Sequence, residues 1–222
     1  KAFSAGDSVL FRKGQTWWAA FTVPSSGSSG NPITFGAYGS GVNPIISGAL
    51  IQTAGNWAET SPVSNIWQTA DTVSPYEVWF NGTKGNLVAN AGAVDSDKDW
   101  FWVTPTLTVW SVGNPATTYV APGVEVPYYQ NGISMATKSY VTVDGLIVER
   151  GVQEGILISG GAASNVIVKN TTVRYIAKRM GTALSLEDNT GGDHLFDNVT
   201  IHDNQGWGVG HSNAQATSGH EN

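Results

Sequence analysis

The chain has 222 residues, 27 of them glycine and none cysteine, with only 13% charged residues and a formal net charge of −6. Its eleven basic residues are scattered and form no stripe, which argues against nucleic acid and anionic membrane surfaces as partners. No apolar run reaches the roughly 18 residues of a membrane span, and a composition rich in Gly, Ser, Thr, Asn and Val suits short strands joined by polar turns rather than helices.

The opening stretch, "FSAGDSVLFRKGQTWWAAFTVPSSGSSGNPITFGAYGSGVNPIISGA", predicts strands over 7–12, 32–35 and 44–47, separated by Gly, Ser, Asn and Pro. It resembles the N-terminal part of secreted right-handed parallel β-helix (pectin-lyase-like) proteins, in which runs like "GDSVLFRKGQTW" and "GNPITFGAYGSGVNPIISG" recur. The resemblance covers 3–49. It implies a three-strands-per-coil solenoid, a secreted bacterial protein and a carbohydrate-active enzyme of polysaccharide lyase or hydrolase type. That family carries further residues upstream, so the chain reads as truncated at both ends.

Residues 50–130 are irregular and hold Trp57, Trp67, Trp79, Trp100, Trp102 and Trp110. "YEVWFNG", "GNLVANAG", "DWFWVTP" and "LTVWSVG" read as strands, the last two as a hairpin. The same resemblance implies an antiparallel excursion here. These aromatics either supply apolar burial or, at Trp57 and Trp67 with their polar flanks, a platform on which sugar rings stack.

From Ser139 the chain repeats. Gly145, Asn170 and Asn198 occupy matching positions separated by 25 and 28 residues, and Val148, Val173 and Ile201 keep the same offset. A period of about 20–30 residues is a parallel β-solenoid signature. One coil reads as a strand over 165–169, a tight turn at Asn170, a strand over 171–174, a variable loop over 175–181 and a strand over 182–186. Asn170 and Asn198 then form an amide ladder. Glu149, Arg174 and His202 share an outward column, in which Glu149 and Arg174 make a surface ion pair of about 0–1 kcal/mol.

In the resembled enzymes the substrate lies along the strand after the variable loop, which here means 155–159, 182–186 and 208–212. The flanking loops carry the densest charge. In a β-elimination lyase, Ca²⁺ or an Arg neutralises a uronate carboxylate and a base removes the neighbouring proton. Lys178, Arg179, His211 and Glu187 are the candidate catalytic residues, and Glu187 with Asp188 the candidate calcium ligands. In a hydrolase, two carboxylates flank the scissile bond, and a pair from different coils, Glu154 with Glu187, is easier than two sequence neighbours. Glu154, Trp57 and Trp67 are the candidate substrate-binding residues. His194, His202 and His211 fall on different strands of one coil, which disfavours a shared metal site.

The expectation is one all-β domain: a right-handed parallel β-helix with N-terminal coils over 1–49, a Trp-rich antiparallel excursion over 50–130 and regular coils over 131–222. Its expected function is extracellular and acts on a polysaccharide, foremost as a uronate lyase. The alternatives are a glycoside hydrolase, or a non-catalytic adhesin, fibre or filament subunit that self-associates end to end.

Overall fold

The structure, a computed structural model, describes residues 2–71, 73–188 and 191–212. It comprises two compact units: Lys1–Gly48 together with Tyr129–Asn222, and Ala49–Tyr128, which lies between them in sequence. Among the described residues nearly all regular structure is strand, and no helix is long and apolar enough to cross a membrane.

The first unit holds three five-stranded sheets. Sheet 1 contains Ser8–Arg12, Ile33–Tyr38, Val141–Asp144, Val166–Lys169 and Leu195–Asp197. Sheet 2 contains Thr16–Trp18, Ile45–Ser47, Ile147–Glu149, Thr172–Arg174 and Thr200–His202. Sheet 3 contains Phe21–Thr22, Asn131–Ser134, Glu154–Ser159, Thr182–Glu187 and Trp207–Ser212. Every pairing in them is parallel. The chain visits sheets 1, 2 and 3 in turn, and the second unit is inserted between Ile45–Ser47 and Asn131–Ser134. Parallel strands need such crossovers, because a tight turn joins only antiparallel ones.

Burial follows the register. Phe35, Val143 and Val168 stack in sheet 1, and Ile46, Val148 and Val173 in sheet 2. Ile133, Ile156 and Leu184 stack in sheet 3, and all nine side chains belong to one core cluster. Burying each such aliphatic side chain stabilises by about 1.5–3 kcal/mol.

The corners repeat as well. Tyr140, Asn165 and Asp193 precede equivalent strands of sheet 1 with φ of 56°, 54° and 63°. Gly145, Asn170 and Asn198 follow them at 71°, 49° and 50°, and Arg150, Tyr175 and Asp203 follow sheet 2 at 56°, 57° and 55°. Left-handed backbone costs a non-glycine residue of order 1–3 kcal/mol, so side-chain anchoring is expected at these positions. At the second corner it is an amide ladder: Asn198 Nδ2 donates to Asn170 Oδ1 at 2.9 Å, and Asn170 Nδ2 donates to Asp144 Oδ1 at 2.8 Å. The ladder thus extends to Asp144, beyond the two asparagines visible in the repeat.

At the third corner the surface ion pair expected from the repeat is in fact buried. Glu149 is 1% exposed. It accepts from Arg174 Nε at 2.8 Å and also from the buried Arg150. Tyr175 lies against both cations, 5.6 Å from Arg150 and 5.0 Å from Arg174. His202 continues the column, edge-on to Tyr175 and bonded to Asp203.

The second unit is built from antiparallel pairings, with one parallel pair between Asn86–Leu87 and Asp99–Val103. The expected hairpin is present as Asp99–Val103 against Thr106–Trp110. Ile66–Ala70, which sequence reasoning missed, pairs on its far side. Trp57 is 7% exposed and sits in the unit's core with Phe80 and Trp100, so the platform reading fails for it: this indole face is already covered. Trp67 is half-buried against the same core, its Nε1 donating to Ser111 O at 3.1 Å.

The packing of sheet 3 is tested by Gly155→Ala. An added Cβ would lie 2.2 Å from Val173 Cγ1 and 2.5 Å from Ala183 O. The variant is expected to lose about 1–3 kcal/mol of stability, read as a lower urea midpoint with unchanged slope. Gly192→Ala, whose Cβ meets nothing within 4 Å, should leave the midpoint in place.

Candidate active site

Strict alternation fails at the start of three sheet 3 strands, and that failure shapes the candidate site. Gly132 and Gly155 face the core, since a Cβ there would strike Val148 and Val173. Ile133 and Ile156, the next residues, are core side chains too, as are Ala183 and Leu184 one strand on. Two consecutive positions therefore point inward, a small residue and then a large one. The residues that flank each doublet face outward: Asn131 and Ser134, Glu154 and Leu157, Thr182 and Ser185. Alternation resumes afterwards, so Ile158 and Leu186 pack on the core while Ser159 and Glu187 face out.

Register aligns these positions. Asn131, Glu154, Thr182 and Trp207 form one outward column, and Thr22, Ser134, Leu157, Ser185 and Gly210 the next. Glu154 is 4% exposed. The Asn131 amide, turned so that its NH₂ has acceptors, donates to Glu154 and to Gln130 O at 3.2 Å. Burial is the main force that lifts the Glu154 carboxyl above its ordinary value. A hydrogen bond from Gln153 opposes it, the charge of Glu187 pushes further up, and Lys178 pulls down. Lys178 Nζ also donates to Gln153 Oε1 at 3.1 Å. Glu187 leans back along its strand, accepting from Ser185 Oγ at 3.4 Å.

Of the expected site residues, the structure brings Glu154, Lys178 and Glu187 into electrostatic contact. Arg179 is exposed in the loop after Lys178. His211 pairs with Leu186, which puts it in an inward column and away from the outward face of Glu154. Asp188 is exposed at a left-handed corner (φ 48°). Among the described residues no three His, Cys, Asp or Glu side chains gather as a metal would require, so the calcium pair Glu187 and Asp188 would need backbone oxygens. Trp57 and Trp67 belong to the second unit. Nδ1 of His194 accepts from Val166 N at 3.3 Å, a structural role, and His220 lies outside the described residues.

Sequence reasoning missed Asn131, Gln153 and the exposed Trp207. A signal for Asn131 and Trp207 exists in "NGIS", "EGIL", "TALS" and "WGVG", where a polar or aromatic residue precedes a small–large pair. Two cavities lie elsewhere on this unit. One of about 400 Å³ is lined chiefly by Phe3, Phe11, Trp17, Phe21 and Phe35 and holds no acid or base. The other, of about 340 Å³, is bordered by Asp144 and Asn170 of the amide ladder.

No protein-family profile matches the chain, and no curated protein does. Among solved structures it is similar to one described as the complex of XylC with xylose, with a TM-score of 0.58 at 15% identity, covering 91% of this chain and 46% of that one. It is also similar to one described as a glycoside hydrolase, with a TM-score of 0.54 at 7% identity, covering 82% of this chain and 60% of that one. The chain thus spans about half the length of these proteins, and at such identities the likeness is one of fold.

Because the Glu154 carboxyl is raised in the folded chain, it binds its proton more tightly there than when unfolded. Its contribution to stability is present at acid pH and is lost as pH rises through the raised value. Glu154→Gln, which stays neutral, is expected to become more stable than the parent as pH climbs from about 4 to about 7. The gain should vanish at the acid end, as melting temperatures across that range will show.

Proposed function

We propose that the chain is the catalytic part of a secreted glycoside hydrolase, folded as a right-handed parallel β-helix with three strands per coil, and that sheet 3 carries its active centre. The observation behind this reading is the presence of two carboxyls on one outward face, Glu154 shielded by burial that raises its proton affinity and Glu187 more exposed. Such asymmetry suits an acid and a base. Likeness in fold to a structure described as a glycoside hydrolase supports it.

In this mechanism Glu154 enters protonated. Its proton passes to the glycosidic oxygen as the bond to the anomeric carbon breaks, and the leaving sugar departs as an alcohol. Glu187, as the base, takes a proton from the water that attacks the anomeric carbon. Lys178 and Gln153 hold the Glu154 carboxyl in place and steady the charge left on it. Glu187 is five residues beyond Thr182, the register partner of Glu154, which separates the two backbones by about 16 Å along the strands. With Glu187 drawn back along its strand by Ser185, that favours the wider carboxylate spacing, which admits a water and inverts the anomeric centre, over the close spacing of a retaining pair. The uronate lyase reading is less well served: Lys178 is engaged with Gln153 and Glu154, and two acids face the place a uronate would occupy.

Glu154→Gln is expected to lower the release of reducing ends from a responsive glycan by about 10²–10⁴-fold. Proton NMR of the first product should show the anomer opposite to that of the substrate. Appearance of the unsaturated-uronate absorbance band would instead establish the lyase. Failure of full-length protein to cleave any of a broad panel of neutral and uronate glycans would sink the enzyme reading.

A further inference from the structure

We propose that the cavity beside Asn131 is a binding subsite for one uncharged pyranose unit, so that the substrate is a neutral glycan; this rests on the hydrolase reading above. The cavity measures about 280 Å³ and is open to solvent, with Thr22, Gln130, Asn131 and Ser134 as its polar lining and Phe21 and Tyr129 among the rest. No charged side chain lines it. Short hydroxyl and amide groups beside aromatic carbon match a sugar ring, which offers vicinal hydroxyls at its rim and C–H bonds on its face. The place is also right. Asn131 is the register partner of Glu154 and donates to it, so a ring held by Asn131 presents its glycosidic oxygen to the acid.

Charge decides the class of sugar. A uronate carboxylate in this cavity would find no cation in the lining to pair with, and beyond the protonated Glu154 it would meet the carboxylate side chain of Glu187. A charge that gains no partner from the lining gives up hydration for nothing, and rejection of the wrong partner by like charge is a common source of specificity. A neutral ring meets neither penalty.

Calorimetric titration of the full chain carrying Glu154→Gln tests this, with xylo-, cello- and galacto-tetraose and tetragalacturonate as probes. At least one neutral tetrasaccharide should bind about ten-fold or more tighter than tetragalacturonate. Adding Thr22→Val or Asn131→Ala should weaken the neutral ligand by about ten-fold or more, with the melting temperature showing that each variant folds. Tetragalacturonate binding as tightly as the best neutral probe overturns the proposal. So does unchanged neutral affinity in both folded variants, and in that case wild-type cleavage of a glycan would leave the hydrolase reading standing. No binding by any probe, joined to no cleavage by the wild type, removes both.

Discussion

Parallel backbone hydrogen bonding in fixed register is the constraint on which the first unit rests. It sets equivalent residues on neighbouring strands about 4.8 Å apart, so whatever one strand places at a position must agree with what the next places there. The core columns satisfy this with aliphatic side chains, the corner at Asn170 with amides, and the column of Glu149 with alternating charge. A slip of one residue would turn every core side chain outward. The left-handed corners oppose such slippage, because only glycine or an anchored side chain tolerates them.

The buried charges around Glu149 show how such a corner is secured. Arg150 and Tyr175 both have left-handed backbone, at a cost their side chains must offset. Arg150 binds Glu149, and Tyr175 offers its ring to Arg150 and Arg174. A buried carboxylate with a single partner often fails to repay its desolvation. Here two guanidiniums share the task, and an aromatic ring shields them. Glu154 contrasts with it: its partners are chiefly amides, Asn131 and Gln153, with Lys178 beyond. At Glu154 burial outweighs what the Gln153 hydrogen bond and Lys178 take back, so the carboxyl holds its proton more tightly than usual.

Much of this was legible in sequence because it repeats. The matching of Asn170 with Asn198 and of Val148, Val173 and Ile201 fixed the pairing that the strands adopt. Burial was harder to read. Glu149 points away from the core, and outward suggested wet, but its arginine and tyrosine neighbours close over it. Trp57 misled through its polar flanks, since what buries it comes from residues distant in the chain, such as Phe80 and Trp100. That Glu154 and Glu187 sit on different strands of one sheet was legible, yet the cavity beside Asn131 was not. Its walls come from Thr22, Gln130 and Asn131, two segments that the inserted unit separates by more than a hundred positions.

The inward doublets of sheet 3 have a consequence for how such a molecule can change over generations. Gly132 with Ile133, Gly155 with Ile156, and Ala183 with Leu184 carry the packing, while the outward residues that flank each doublet stand off the core. Outward positions can therefore be rewritten, an acid for an amide or a serine for a tryptophan, without disturbing what holds the strands together. Inheritance of shape and inheritance of chemistry come apart at this sheet. Chains that share the architecture at 15% or 7% identity are then free to differ in the chemistry of this face, and likeness in fold is a poor guide to it.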